Sequence, residues 1–469
     1  MNRLEQNAKH SGRFHEPLHE RDSANATYGC RHSNPDICKN HSLEGKCAFV
    51  KEDYICLVPP STWKRQFERL QSKSKEKKVS EMGTARLAAK ALIVDCEHKT
   101  APLVDSGDIY SIRTADLLNG RIDFYSANRV SESTYREWIK REAPVEGDII
   151  LAREAPVGEV GHIPKNKRVC LGQRTVLIRA HDGEVDSRYL CYLLASPEVK
   201  ADLISRSTGS VVEHLNVEDI RNFGIAYPPL PEQRAIAGVL SSLDDKIDLL
   251  HRQNKTLEGM AEALWRKMFV DEADPGWKKG KLGDYGQIIC GKTPSKKVAE
   301  YFGGHIPFIK IPDMHGNIFI FETEDSLTEA GKKSQQNKTI PTKSICVSCI
   351  ATVGLVGMNA VDSQTNQQIN TIIPNKEFQR YFLFLLMRNM TDDLFARASG
   401  GTATDNLNTS DFLRIEISTP PENIIQKFDN LVKDFFEKIY INSIQISTLS
   451  SIRDTLLPKL MSGEVRVKL

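Results

Sequence analysis

The sequence predicts an α+β protein: two similar mixed α/β domains separated by long helices that form an antiparallel coiled coil. Three observations predict it. Residues 228–269, "PPLPEQRAIAGVLSSLDDKIDLLHRQNKTLEGMAEALWRKMF", carry a helical pattern with no break; the chain aligns with itself at a shift near 192 residues; and short apolar runs punctuated by glycine and proline precede each helix.

The first helix is expected from Pro231, which suits a first helical position because no N–H is needed there, and Glu232 favours the positive end of the macrodipole. Ile236, Leu240, Leu243, Ile247, Leu250, Asn254, Leu257, Ala261, Leu264 and Met268 alternate steps of four and three, a heptad seam that needs a partner helix. A helix over 231–269 would be roughly 58 Å long at about 1.5 Å per residue. Near the carboxyl end Phe428, Val432, Phe435, Ile439, Asn442, Ile446, Leu449, Arg453, Leu456 and Leu460 keep the same seam. Asn254 and Asn442 interrupt the two seams. In an antiparallel pair with a pseudo-twofold near residues 252 and 444, they face each other and fix the register; two unrelated, half-exposed asparagines are the alternative.

The duplication defines the domains. "LEGMAEALWRKMF" from Leu257 aligns with "LSSIRDTLLPKLM" from Leu449, and "LNVEDI" at 215 with "LNTSDF" at 407, both at a shift of 192. Further upstream the shift becomes 196, where six of the thirteen positions from Ile149 to Gly161 recur in 345–357; chance would give about one. The expected division is an amino-terminal Cys-rich extension with a basic linker over 1–85, a first domain over 86–229 with its helix over 230–270, and a second domain over 277–420 with its helix over 421–461. Asp271–Gly280 between the units, "DEADPGWKKG", reads as a turn or linker.

Composition sets bounds. With 63 Lys and Arg against 61 Asp and Glu in 469 residues, there is no pervasive basic coat, so a nucleic-acid surface must be local. Ten cysteines without a signal peptide or a membrane-length apolar run suggest free thiols in a cytoplasmic protein. Cys30, Cys38, Cys47 and Cys56 crowd one segment, with His32 and His41 nearby, but seven, eight and eight residues intervene. Scattered thiols are the first reading and zinc the second, since zinc would supply a core the short segment lacks. Cys346 and Cys349 sit in a strand pattern and read as buried thiols.

Two similar domains on a rigid spacer form a caliper. DNA half-sites about 34–36 Å apart present their grooves on one face, within reach of such a spacer. A fused, diverged pair can read a split, asymmetric site that a homodimer cannot. "PPLPEQRAIAGVLSSLDDKIDLL", "DCEHKTAP" at 95–102 and "CGKTPS...YFGGHIPFIKIPDM" from Cys290, together with the duplication, resemble the specificity (S) subunit of Type I restriction-modification systems over about residues 86–462. The resemblance implies two target-recognition domains, each followed by a helical spacer, that read a bipartite DNA sequence. It also implies double-stranded DNA and two methyltransferase (M) subunits as partners, joined by restriction (R) subunits. S-adenosylmethionine, ATP and Mg would sit on those partners, with no cofactor on this subunit.

Catalytic signatures are absent from the sequence: it has no methyl-donor loop followed by N-P-P-[FY], no G-x-S-x-G and no H-E-x-x-H. Residues 286–293, "GQIICGKT", do satisfy the P-loop pattern. A P-loop must enter a helix, however, and Pro294 follows here; at a shift of 193, Lys292 and Thr293 fall on Lys99 and Thr100, where no glycines occur. Lys99 and Lys292 are therefore phosphate contacts or plain surface residues. Arginine reads guanine and the amides read adenine, which makes Arg113, Arg153, Gln173 and Arg174 candidates in the first domain, and Lys310, Gln367, Gln368 and Asn370 in the second. The small-residue loops with Ser207 and Gly209, and with Gly401, hold phosphate or merely turn.

Overall fold

A computed structural model describes residues 14–32, 38–80, 82–207, 213–399 and 406–467. Two compact units emerge, Met1–Ser242 with Arg453–Leu469, and Leu243–Ile452. Among the described residues no helix is long and apolar enough to cross a membrane.

The first unit is built on six strands: β1 (Ala91–Asp95), β2 (Ile109–Ile112), β3 (Ile149–Ala152), β4 (Val160–His162), β5 (Arg168–Leu171) and β6 (Thr175–Ala180). One sheet has the order β4-β3-β6-β1, with antiparallel neighbours throughout. A second joins β5 to β2 in parallel and continues through Asn128–Val130 to Leu103–Val104. The run "GDIILA" shows why β3 is central. Successive side chains point to opposite faces, so Ile149 and Leu151 pack with Tyr189, Leu190 and Leu193 of the helix Ser187–Ala195, whereas Ile150 and Ala152 pack with Ile112, Val169 and Leu171 of the second sheet. All four residues are fully buried; both faces are covered, and the apolar run is continuous rather than alternating.

Chain ends complete this unit. Gly83–Arg86, most of which precedes the boundary expected at residue 86, pairs with Gly224–Tyr227. The long helix α1 (Leu230–Arg266) starts beside it, with Pro231 in its first turn and Glu232 bound by the Arg466 guanidinium. Ile236, Ala237 and Leu240 pack against Leu460 and Met461 from the far end of the chain.

The second unit repeats the plan with β7 (Gly286–Cys290), β8 (Phe302–Ile309), β9 (Ile345–Ser348), β10 (Val356–Asn359), β11 (Gln364–Thr365) and β12 (Ile369–Pro374). Its main sheet runs β7-β12-β9-β10, with Phe319–Ile320 added at the edge, and β11 lies parallel to β8. The ladders correspond pair for pair. Ile149 faces Ile178 and His162 in the first unit, and Ile345 faces Ile372 and Met358 in the second. The match of 149–161 to 345–357 is therefore an equivalence of strand, turn and strand. Gly158 and Gly354 hold the turn with φ of +82° and +93°, a conformation open to glycine at no steric cost. Cys346 and Cys349 are buried free thiols, and burial lifts their pKa to about 12 and about 11.

The helix α2 (Glu422–Met461) ends the second repeat. Every position of the two predicted seams is buried or half-buried. Within the second unit, Phe428, Val432, Phe436 and Ile439 of α2 share a core with Ala261, Trp265 and Phe269, and Tyr381 stacks on Phe436 with centroids 4.2 Å apart. After Arg266 the first helix widens into a π turn, Lys267–Asp271.

Candidate nucleic-acid interface

Ladder register brings four chain segments to one end of each sheet pair. In the first unit β1 and β3 end where β6 begins, since Asp95 pairs with Val176 and Ala152 with Thr175. The end of β2 joins them through the Gly172 N–H, which donates to Ile112 O. Lys99, Arg113, Arg153, Gln173 and Arg174 all lie on these four segments, so residues spread over 76 positions of sequence converge on one corner. The second unit gathers Lys292, Lys310, Gln367 and Gln368 in the same way, after β7, after β8 and before β12.

A shared clasp fixes the corner. Thr100 Oγ1 donates to Gln173 Oε1 at 3.4 Å, and Thr293 Oγ1 donates to Gln367 Oε1 at 2.7 Å. Gln173 and Gln367 are exposed, as are Lys99 and Lys292, neither of which forms an ion pair with a described residue. The backbone around the clasp is also common: the N–H of Arg153 donates to Arg174 O and that of Cys349 to Gln368 O, while Leu215 and Leu407 donate to Arg153 O and Cys349 O.

On that common frame the side chains diverge. In the first unit the buried Arg153 guanidinium bonds Asp95 at 2.7 Å, Leu215 O at 3.0 Å and the His214 ring at 2.9 Å; His214 contacts Glu154, which also pairs with Arg174. The equivalent positions of the second unit carry Cys290, Cys349, Ile350, Gln368 and Asn406. A charged network in one copy is replaced by thiols, an aliphatic and two amides in the other. Asp95, Glu154 and His214 escape sequence reasoning because the partners of Arg153 lie 58 and 61 residues away, and no local pattern links them.

Several candidates need correction. Arg153, 6% exposed, ties loops together from inside and offers no donor fork to a groove. Asn370, 2% exposed, donates to Leu407 O and accepts from Thr409, so it too is a scaffold residue. Arg113 and Lys310 occupy equivalent places, each with its N–H capped by a carboxylate three residues on. Their charged ends are held as well, Arg113 by Asp116 at 2.7 Å and Lys310 by Asp325 at 2.8 Å, which raises both pKa values above the ordinary range through hydrogen bonds to those carboxylates. Gln368 is half-buried and accepts from Asn366. Arg174 remains exposed at 57%, on a backbone with φ of +71°. Ser207 Oγ donates to Ile204 O and closes a helix end; Gly209 and Gly401 lie outside the described residues.

The P-loop pattern forms no phosphate cradle. The N–H groups of Gly291 and Lys292 are spent on Ile369 O and Thr365 O, and the next regular element is a short turn at Ala299–Tyr301. Gly291 is required for close approach, because a Cβ there would sit 2.1 Å from Asn366 O. Away from the corner, within the second unit, the structure brings Asn254 and Asn442 together, with Asn442 Nδ2 donating to Asn254 Oδ1 at 2.8 Å. Of the amino-terminal thiols, Cys30, Cys47 and Cys56 are buried and Cys38 is half-buried.

Fold and corner together define a duplicated protein whose two copies share one backbone frame and differ in the side chains that line it. The family model for the Type I restriction modification DNA specificity domain matches twice, over residues 103–259 and 275–449, and the chain belongs to that family. It is similar to the Type I restriction enzyme HindI specificity subunit of Haemophilus influenzae, 34% identical over 436 aligned residues that cover 76% of this chain and 94% of that one. The MjaIX specificity subunit of Methanocaldococcus jannaschii is 30% identical over 387 residues, 77% of this chain and 88% of its own. Among solved structures, the Type I restriction-modification S subunit from M. genitalium aligns with a TM-score of 0.55 at 16% identity, over 81% of this chain and 96% of that one, a likeness of fold.

Proposed function

We propose that the two corners are the reading surfaces of a non-catalytic specificity subunit, each taking one half of a bipartite, asymmetric site on double-stranded DNA. The observation that carries the reading is the pairing of a shared clasp with opposed linings: Thr100–Gln173 beside Asp95, Glu154, Arg174 and His214, and Thr293–Gln367 beside Cys290, Ile350, Gln368 and Asn406. A common frame sets a common approach to the duplex, and different edges of hydrogen-bonding groups select different bases. Lys99 and Lys292, exposed at matching points, suit phosphates on either side. In this reading α1 and α2 form the antiparallel coiled coil that spaces the two half-sites. The Asn254–Asn442 bond supports its register, and its outer faces recruit two M subunits in the cytoplasm, with R subunits completing the complex. Methyl transfer with S-adenosylmethionine, and ATP- and Mg-dependent cleavage, belong to those partners.

The test is a map of methylated adenines in a host that carries this chain with its M subunit. Arg174→Gln should change the required bases in one half of the motif and leave the other intact; Gln367→Ala should do the converse. Both halves shifting together, or neither responding to any corner substitution, would remove the assignment.

A further inference from the structure

Among the described residues of 14–60, ahead of the helix Trp63–Ser80, regular structure is sparse. The strands there are two residues each, Thr27–Tyr28 paired with Ile55–Cys56, and the other described residues of the stretch form turns, bends, one isolated bridge and irregular chain. A stretch this short cannot bury enough apolar surface to offset its chain entropy, and small domains of this kind need a disulfide, a metal or a partner as a staple. All four cysteines are free thiols.

The fold supplies the convergence that the sequence spacing lacks. Cys30 follows the first strand, Cys56 lies in the second, and Cys47 is carried to them by the Leu57 N–H, which donates to Lys46 O at 2.8 Å. With Cys38 these thiols line a single cavity of about 10 Å³, room for one atom-sized guest, and His32 and His41 stand in the same wall. One further feature marks the cavity: His32 Nδ1 is buried without a hydrogen-bond partner. Among the described residues no three His, Cys, Asp or Glu side chains already stand at ligating distances, so what is seen is a thiol-lined chamber that must contract by rotamer changes to become a cage.

We propose that Cys30, Cys38, Cys47 and Cys56 form a structural site for one zinc ion, which holds residues 14–60 folded. Four soft donors around an atom-sized space select a tetrahedral, thiophilic divalent cation, and zinc is the common occupant of Cys₄ sites. Binding releases the thiol protons. Trp63, fully buried with its Nε1–H donating to Ser23 O and its ring under the Arg31 guanidinium, ties the same module to the helix Trp63–Ser80.

The experiment uses the full chain, purified without chelator, with metal measured by mass spectrometry and by colorimetric release on adding a mercurial. One zinc per chain is expected. Cobalt substitution should give the absorption of tetrahedral cobalt with sulfur-to-metal charge transfer. Cys30→Ser with Cys56→Ser should reduce the metal to trace, whereas Cys290→Ser, outside the cluster, should leave it unchanged. Because the double variant can misfold, wild-type protein is also alkylated before and after chelation, and only chelation should expose these four thiols. A metal-free preparation that takes up neither zinc nor cobalt, or a disulfide among the four found by peptide mapping, overturns the proposal.

Discussion

Replacing Asn254 alone should cost stability, replacing Asn442 alone should change it little, and replacing both should raise it. Asn442 is fully buried on α2; its Nδ2 donates to Asn254 Oδ1 at 2.8 Å and reaches Gln253 Oε1 at 3.4 Å, while its own Oδ1 is buried without a partner. Asn254 is only half-buried. Asn254→Leu therefore leaves Asn442 Nδ2 only the long contact to Gln253 Oε1 and should cost about 1–3 kcal/mol. Asn442→Leu removes the orphan oxygen together with the donor, and Asn254 can turn to water, so that variant should be close to neutral. The double Leu variant joins two apolar seams and should be more stable than the native protein by about 1–3 kcal/mol.

A unit of this size moves in melting temperature by about 2–4 °C per kcal/mol. Calorimetry of the four proteins in the cycle separates these outcomes, and hydrogen exchange over residues 243–270 localises them. Asn442→Leu proving the more damaging single change, or the double variant falling below both singles, would refute the reasoning, because the bond would then be a net stabiliser rather than a register device. A functional consequence follows if register is its role. On the proposed function, the double variant in complex with its M subunit should still direct methylation to the native motif while tolerating a changed spacing between the halves.

Three further expectations can be checked on the same protein. Arg153→Met should cost about 1–3 kcal/mol by leaving the partly buried Asp95 carboxylate with only the His98 ring and the Cys96 N–H, whereas Arg174→Ala, at an exposed position, should stay within about 0.5 kcal/mol in thermal melts. Burial lowers the His162 pKa from 6.5 to about 4, so the unfolded chain binds the proton more readily; the stability this His contributes is complete above about pH 6.5 and declines by about 2–3 kcal/mol as pH falls towards 4. His162→Met, the residue at the equivalent position 358, should flatten that limb in melting temperatures taken from pH 4 to 7. Lys99→Ala and Lys292→Ala should each reduce the slope of log K against log salt in DNA titrations by about 1, whereas Gly291→Ala should destabilise the second unit by about 2 kcal/mol or more through the clash with Asn366 O.

Sequence legibility followed the range of the physics involved. The seams could be read because heptad spacing is local arithmetic: each position from Ile236 to Met268 is fixed by its neighbour three or four residues away, and burial follows that count at all ten. Locating Asn254 against Asn442 needed only the antiparallel sense in addition. Strand duplication was legible for a similar reason, since "GDIILA" and "KSICVS" carry the continuous apolar run of a strand covered on both faces. The corner was legible as a place but not in its side chains. Arginine at 153 has the residue type of a base reader, yet the position after β3 turns inward, and the groups that neutralise it, Asp95 and His214, arrive from loops that sequence proximity cannot associate. The second copy makes the same point from the other side. Where Asp95, Arg153 and Glu154 would require a mutual charge network, Cys290, Cys349 and Ile350 need only to be packed, so one backbone accepts either set. Such a frame leaves the lining free to vary in each copy separately. That freedom, rather than any single residue, is what lets the two corners of one chain differ while their frame stays the same.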